Sequence, residues 1–193
     1  MAPLKIGLTG GIAAGKSEAL AAFERLGAAT LSSDAVVHEL FGSRQLRDRV
    51  VERWGPDVAP GDIVDRARIG EIVFSDPDEL SWLERQIHPL VAERMATWLA
   101  GLPAGTELAV VEVPLLFEVG RDEVFDTTVA IVTADALRRQ RAEARGHALV
   151  SERDARQLPQ DEKASRADHV IANDGSIEDL ERALSALVEK LGR

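Results

Sequence analysis

The chain of 193 residues is long enough to bury the core of one α/β domain, and its 45% hydrophobic and 29% charged residues are ordinary for a globular protein. It contains no cysteine, which excludes disulfides, thiolate catalysis and thiolate metal sites. The net charge of −10 argues against non-specific binding of nucleic acid. No apolar run approaches the ~20 residues of a membrane span. Since the first strand also leaves no room for a signal peptide, we expect a cytoplasmic protein with no membrane partner.

The first predicted element is the apolar run Leu4–Leu8, and a helix-forming stretch begins at Glu18. Between them, residues 10–17 read GGIAAGKS. This is the complete pattern G-x-x-x-x-G-K-[ST], in the strand–loop–helix context that a phosphate-binding loop requires. The sequence therefore predicts a nucleotide phosphate site at the first turn of the chain.

The residue types in this loop match the chemistry of phosphate binding. Gly10 and Gly15 allow backbone angles that let successive N–H groups converge on one anion. The helix that starts near Gly15 adds the partial positive charge of its N-terminus. Lys16 is predicted to reach the β- and γ-phosphates, and Ser17 is predicted to bind Mg²⁺.

The second predicted strand, Ala28–Leu31, is followed closely by Asp34. Ligands of open parallel sheets bind beyond the carboxyl ends of the strands, where Asp34 and the phosphate loop both fall. A carboxylate there can accept the proton of an attacking hydroxyl group. The alternative is that Asp34 caps the helix 35–40, and the two roles are compatible.

The stretch Ala35–Thr106 is too long for a simple connection between strands, and it predicts a helical insertion that binds a substrate. One of its helices starts at Asp76, where Pro77 takes the first helical position. His88 precedes Pro89 in this helix. A lone histidine here is structural or substrate-binding rather than catalytic.

The third predicted strand, Leu108–Val113, carries Glu112 near its end. A carboxylate at this position can hold a water molecule bound to Mg²⁺, and the alternative is a solvated strand end. Glu118, a few residues later, is interpreted as the partner of an arginine.

A fourth strand, Thr128–Val132, precedes a basic stretch at 135–166, which has eight basic and six acidic side chains and thus a net charge of +2. In a chain with a net charge of −10, such a cluster indicates a polyanionic small ligand, and the stretch is predicted to form a lid. The alternative is a solvated helix face with internal ion pairs. A fifth strand, His169–Ala172, precedes a helix with a capping signal at Ser176.

Strands that alternate with helices predict βαβ units, and hence a parallel sheet with helices on both faces. We expect one α/β domain of the P-loop NTPase type, a three-layer α/β/α fold with a five-stranded parallel sheet, a helical substrate-binding insertion and a lid. The predicted boundaries are 1–34, 107–134 and 167–193 for the core, about 35–106 for the insertion and about 135–166 for the lid.

Four segments together resemble the dephospho-CoA kinase family. They are the phosphate loop, IHPL at 87–90, VPLLFE at 113–118, and QLPQDEK at 157–163 followed by Arg166, Asp168 and Asn173. The resemblance covers essentially the whole chain in the right order. The loop is shared by many kinases, whereas the last two segments are much more specific.

The resemblance implies transfer of the γ-phosphate of ATP to the ribose 3′-hydroxyl of dephospho-CoA, the last step of coenzyme A synthesis. Asp34 would be the base, and dephospho-CoA would contact Asp34, His88, Pro114 and Leu115. Mg²⁺ would be held by Ser17 and Glu112. The implied ATP-binding residues are Gly10, Gly11, Ile12, Ala13, Ala14, Gly15, Lys16, Ser17, Arg138 and Arg145, and Arg141 joins Lys16 and Asp34 as a catalytic residue. A monomer or weak homo-oligomer is expected.

Two positions depart from the family pattern. The family has a third glycine in the loop where this chain has Ala13, and we expect little harm because Gly10 and Gly15 are intact. The family also has an acid where this chain has Ser32, which puts any metal-binding or hydrogen-bonding role of that acid in doubt.

Three alternatives use the same loop. A small-molecule or nucleotide kinase of the same fold differs only in its acceptor. A nucleotide-dependent regulatory protein belongs to another class, and the N-K-x-D motif of guanine-specific switches is absent. The acidic charge argues against an ATPase that acts on nucleic acid.

Overall fold

A computed structural model describes residues 2–144 and 157–192 of the chain. The chain forms two compact units, which we call the sheet unit and the helical unit. The sheet unit is built from the residues up to Ser32 and from Leu102 onward, and the helical unit is Ser33–Gly101.

The sheet unit contains five parallel strands in the order β2-β3-β1-β4-β5. Apolar and β-branched residues dominate these strands, as expected for a parallel sheet covered on both faces. The strands are β1 (Leu4–Gly10), β2 (Ala29–Ser32), β3 (Leu108–Glu112), β4 (Thr127–Val132) and β5 (His169–Ala172). Each agrees with its predicted counterpart to within two residues.

The eight α-helices of the described chain alternate with these strands or form the helical unit. They are α1 (Lys16–Arg25), α2 (Ser33–Phe41), α3 (Arg44–Trp54), α4 (Arg66–Ser75), α5 (Pro77–Ala100), α6 (Asp135–Ala144), α7 (Gln160–Arg166) and α8 (Ile177–Leu191). The prediction of an α/β fold with a five-stranded parallel sheet and flanking helices is confirmed.

One face of the sheet packs against α1 and α8. An apolar core lies between them, and its members include Ile6, Leu8, Phe23, Val110, Val129, Ile131, Leu180 and Leu184. The capping box predicted at Ser176 is present, with Ser176 and Asp179 bonded in both directions. This packing holds the start of α1 against the end of β1, which fixes the phosphate loop between them.

Asp168 ties the start of β5 to the start of β4, at the end of the sheet away from the phosphate loop. Its carboxylate accepts hydrogen bonds from the Thr128 hydroxyl and N–H, both at 2.8 Å, and from the Thr127 hydroxyl at 3.3 Å. These bonds lower the pKa of Asp168, and the bond from the Thr128 hydroxyl has the largest effect. The aspartate of the family-like segment therefore has a structural role.

Replacing Asp168 by asparagine is expected to lower the free energy of unfolding at neutral pH by about 1 kcal/mol, since solvent around this exposed side chain weakens its bonds. Because the pKa of Asp168 is lowered in the folded state, its contribution is complete above the unfolded pKa of about 3.9 and is lost as the pH falls through the folded value. Urea denaturation of both proteins at neutral and acid pH measures the difference. The exposed Asp161→Asn is the control, and a difference that persists at acid pH would contradict this assignment.

A helix cap and an aromatic contact stabilise the helical unit. Asp76 caps α5 by accepting a hydrogen bond from Asp78 N–H at 2.9 Å, and α5 then runs through Pro89 for 24 residues. Trp54 and Trp82 meet edge to face with ring centroids 5.0 Å apart. All three tryptophans, the third being Trp98, belong to this unit and the chain has no tyrosine. Intrinsic fluorescence therefore reports on the helical unit.

Candidate active site

The loop from Gly10 to Ser17 joins β1 to α1 at the carboxyl end of the central strand. A Cβ atom on Gly10 would collide with the carbonyl oxygen of Ile131 in β4. Gly15 has φ of 94°, and a Cβ there would collide with the amide nitrogen of Asn173. Both glycines are therefore required by the backbone, as the sequence pattern predicts.

Ala13, which stands where the family has its third glycine, adopts φ of 59°. This is the left-handed region, which costs a residue with a Cβ atom roughly 1–2 kcal/mol. Strain of this kind is typical of functional loops. The loop therefore keeps its conformation, but Ala13 adds backbone strain to it. The sequence analysis expected little harm from this alanine and did not predict the strain.

The substitution Ala13→Gly is expected to raise the free energy of unfolding by about 0.5 kcal/mol, because relief of the left-handed strain exceeds the added flexibility of the unfolded chain. Chemical denaturation measures it as a higher midpoint with an unchanged slope. Ala14→Gly is the matched control: Ala14 is fully buried with no positive φ, so this variant should lose stability. A loss of stability in Ala13→Gly would contradict the strain.

Lys16 folds back over its own loop. Its Nζ donates hydrogen bonds to the carbonyl oxygens of Gly10 and Gly11, at 3.1 and 3.0 Å. Ser17 lies in the first turn of α1 with its residue exposed. An ammonium group at the mouth of the loop and an exposed hydroxyl at a helix N-terminus are chemically suited to a polyphosphate and its metal ion.

A polar network holds the loop from behind. The carbonyl oxygen of Ala14 accepts hydrogen bonds from Asn173 Nδ2 at 2.9 Å and from the Thr133 hydroxyl at 3.0 Å. Asn173 follows β5 and Thr133 follows β4, and both are buried. The carboxyl ends of two neighbouring strands thereby fix the loop, and only the fold brings these residues to it.

Two of the predicted lid arginines lie at the loop. Arg141 Nη1 donates to the Asn173 carbonyl at 3.0 Å. Arg138 pairs with Asp135 at 3.1 Å, and its Nη1 would be 3.0 Å from a Cβ atom on Gly11. Arg145, the third predicted arginine, lies outside the described residues. The positive charge predicted from the basic stretch is therefore next to the phosphate loop at Arg138 and Arg141.

Gln160, at the start of α7, was not singled out in the sequence. Its Oε1 accepts a hydrogen bond from Thr133 N–H and its Nε2 donates to the Thr133 carbonyl, both at 2.9 Å. The side-chain amide thus pairs with the backbone as a neighbouring strand would. The only sequence feature that pointed to Gln160 was its position within the segment QLPQDEK, which was considered only for the family resemblance.

Glu112 ends β3 in register with Leu8 of β1 and Ser32 of β2. It is 6% exposed and shares its sheet face with Val110, which packs in the core under α1. The predicted alternative of a solvated strand end is therefore wrong. Oxygen donors such as the Glu112 carboxylate and the Ser17 hydroxyl fit Mg²⁺, which is usually bound by one or two protein oxygens together with phosphates and water.

The segment after β3 contains Pro114 and Leu115, both partly buried. The Pro114 carbonyl accepts hydrogen bonds from the Thr9 hydroxyl at 3.4 Å and from the Lys163 ammonium group. Lys163 also pairs with Glu118 at 2.9 Å. Among residues 2–144 and 157–192, the partner of Glu118 is thus Lys163 of α7 and not the arginine that the sequence analysis proposed.

Asp34 and His88 belong to the helical unit. Asp34 is the second residue of α2, two positions after the end of β2, and it is exposed. It lies inside the first turn of α2, so the alternative role as the residue that precedes and caps this helix does not hold. His88 lies in the middle of α5 and is partly buried.

Two structural features are absent from the described part of the chain. Across residues 2–144 and 157–192, no helix combines the length and hydrophobicity needed to span a bilayer. Within the same ranges, no group of three or more histidine, aspartate or glutamate side chains is arranged to hold a metal ion. A cytoplasmic location and a monomeric or weakly associated state remain predictions from the sequence.

Comparison with known proteins agrees with these features along the whole chain. The family model described as dephospho-CoA kinase matches residues 4–179. A dephospho-CoA kinase of Synechococcus sp. (strain CC9902) is 39% identical over 191 residues, with 95% of each chain covered. A crystal structure from Thermus thermophilus superposes with a TM-score of 0.80 at 35% identity, covering 99% of each chain. The dephospho-CoA kinase of Campylobacter jejuni superposes with a TM-score of 0.73 at 25% identity, covering 97% of this chain and 96% of its own. The chain therefore belongs to the dephospho-CoA kinase family.

Proposed function

We propose that this protein transfers the γ-phosphate of ATP to the ribose 3′-hydroxyl of dephospho-CoA, giving CoA and ADP, as the last step of coenzyme A synthesis. The observation that carries the proposal is the phosphate loop, fixed by hydrogen bonds to Ala14 at the carboxyl end of the central strand, in a chain that matches this family over residues 4–179. In the reaction a bond forms between the 3′-oxygen and the γ-phosphorus, and the bond from the γ-phosphorus to the β–γ bridging oxygen breaks.

On the nucleotide side, the N–H groups from Gly10 to Ser17 surround the β-phosphate, and Lys16 binds the β- and γ-phosphates. The positions of Arg138 and Arg141 beside the loop support a role in neutralising the transferred group, with Arg145 as a third candidate. Donors fixed in advance by a folded network stabilise developing charge without the cost of reorganising water.

Mg²⁺ would be held by Ser17 directly and by Glu112 through water. When bound, it supplies charge neutralisation and Lewis-acid polarisation of the phosphate oxygens. Glu112 is suited to this because its carboxylate is fixed at the end of a buried strand.

On the acceptor side, Asp34 accepts the proton of the 3′-hydroxyl as the oxygen attacks. Its exposed carboxylate follows β2, and β2 lies beside β3, the neighbour of the loop-bearing β1. Pro114 and Leu115, which follow β3, and His88 in the helical unit contact dephospho-CoA. We further propose that the insertion at about 35–106 binds the CoA moiety and that about 135–166 acts as a lid over the phosphates.

The test is turnover of ATP with Mg²⁺ and dephospho-CoA, with the product identified by mass and by the position of the new phosphate. We expect CoA carrying a 3′-phosphate. Titration with dephospho-CoA alone should also change the tryptophan fluorescence, because every fluorophore lies in the helical unit. Nucleotide binding without any phosphate transfer to dephospho-CoA would overturn the proposal, and a panel of nucleoside and nucleotide acceptors would then identify the substrate.

A further inference from the structure

Helix α7 turns two polar side chains toward the sheet. Gln160 and Lys163 are three residues apart and so lie on one face of the helix. They contact backbone at the ends of different strands: Gln160 bonds to Thr133 after β4, and Lys163 bonds to Pro114 after β3. Since β1 lies between β3 and β4 in the sheet, these contacts fall on either side of the phosphate loop.

The contacts of Gln160 connect α7 to the phosphate loop, where the nucleotide is proposed to bind. The Gln160 side-chain amide bonds to both the N–H and the C=O of Thr133, so the backbone on both sides of this residue is held at the end of β4. The Thr133 hydroxyl in turn donates to the Ala14 carbonyl of the phosphate loop. A Cβ atom on Gly11 would also be 3.5 Å from Gln160 Oε1, which shows how closely the side chain approaches the loop.

The contacts of Lys163 connect α7 to the segment after β3, on the other side of the phosphate loop. Its side chain is completely buried, pairs with Glu118 Oε1 at 2.9 Å and donates to the Pro114 carbonyl. The same oxygen of Glu118 accepts the Leu158 N–H at 2.8 Å, which joins the entry of α7 to this pair. Burial lowers the pKa of Lys163, and the bond to Glu118 opposes this effect. A buried ion pair tolerates little displacement, because its attraction must offset the loss of hydration.

We infer that α7 positions the two substrate-binding segments separately: Gln160 holds the phosphate loop for ATP, and Lys163 holds the segment Pro114–Glu118 for the acceptor. The inference rests on the proposed function for the identity of the acceptor. Neither side chain is assigned a contact with substrate, so both are positioning residues. Small displacements of a binding segment have large effects on reaction, since they disturb the alignment of the reacting groups.

The acceptor side is tested with the double variant Glu118→Gln/Lys163→Met. Lys163→Met alone would leave Glu118 charged and unpaired in the interior, whereas the double variant is neutral and keeps an acceptor for the Leu158 N–H. We expect KM for dephospho-CoA to rise about ten-fold, while Kd for Mg-ATP, measured calorimetrically without acceptor, changes by less than about two-fold.

The nucleotide side is tested with Gln160→Met, which keeps the length of the side chain and removes both hydrogen bonds. We expect the opposite pattern: Kd for Mg-ATP rises about ten-fold, and KM for dephospho-CoA stays within about two-fold. Arg182→Met is the control, because this exposed cation of α8 forms an ion pair with Asp179 and lies outside the proposed insertion and lid. It should change neither constant.

The crossed pattern distinguishes positioning from simple support of the fold. A structural role alone would lower the melting temperature of both variants and move both constants together, and either that result or unchanged constants would overturn the inference. If the wild-type protein made no CoA, the proposed function would fail and the acceptor assignment with it. The Mg-ATP affinity of Gln160→Met would still decide the nucleotide half by itself.

Discussion

Replacement of Lys16 by alanine is expected to lower kcat/KM by about 10³-fold or more. In the proposed reaction, the ammonium group is the positive charge that the loop itself supplies to the β- and γ-phosphates, and its interaction would strengthen as charge develops on the transferred group. Its hydrogen bonds to the carbonyl oxygens of Gly10 and Gly11 hold the side chain over the loop. Steady-state kinetics with saturating dephospho-CoA measures the loss.

The control for this variant is Lys190→Ala, which removes an exposed lysine near the end of α8. It should keep full activity. Melting curves of both variants separate catalysis from stability, because Lys16 also bonds to its own loop. A Lys16→Ala protein with an unchanged kcat/KM would count against the whole nucleotide site, whatever its melting temperature.

Asp34→Asn is expected to lower kcat by about 10²- to 10⁴-fold, the range that general-base catalysis supplies. Asparagine has nearly the same shape but cannot accept the proton of the 3′-hydroxyl. The affinity for ATP should be preserved, since in the proposed site the phosphates contact the loop and not α2. Measured together, kcat and the calorimetric Kd for Mg-ATP separate the loss of the base from the loss of the nucleotide.

Asp78→Asn is the matched control for Asp34→Asn. Both aspartates are exposed residues in the first turn of a helix in the helical unit, so both changes remove the same favourable charge from a helix N-terminus. Only Asp34→Asn should reduce kcat. An unchanged kcat in this variant would remove Asp34 from the mechanism, and an equal loss in the control would reduce the effect to helix stability.

The sequence predicts the parts of the site that are local. A glycine-rich loop between an apolar strand and a helix has one arrangement that satisfies its backbone, so Gly10, Gly15, Lys16 and Ser17 were identified from their spacing. The strands were found for a similar reason, since runs of apolar and β-branched residues between turn signals match a buried parallel sheet. The left-handed angle of Ala13 was missed, because residue type alone pointed to an ordinary backbone.

The supporting residues were decided only by the tertiary structure. Asn173 and Thr133 both bond to the carbonyl of Ala14. In the chain, Asn173 is 159 positions from Ala14 and Thr133 is 119 positions from it. Lys163 reaches Pro114 across 49 positions. No local sequence pattern can predict contacts between residues so far apart in the chain. They form only once the strand order β2-β3-β1-β4-β5 has brought the carboxyl ends of the strands together. The sequence by itself therefore determined the motif and position of the phosphate loop, and the packing of distant strands and α7 decided what holds that loop and the segment Pro114–Glu118 in place.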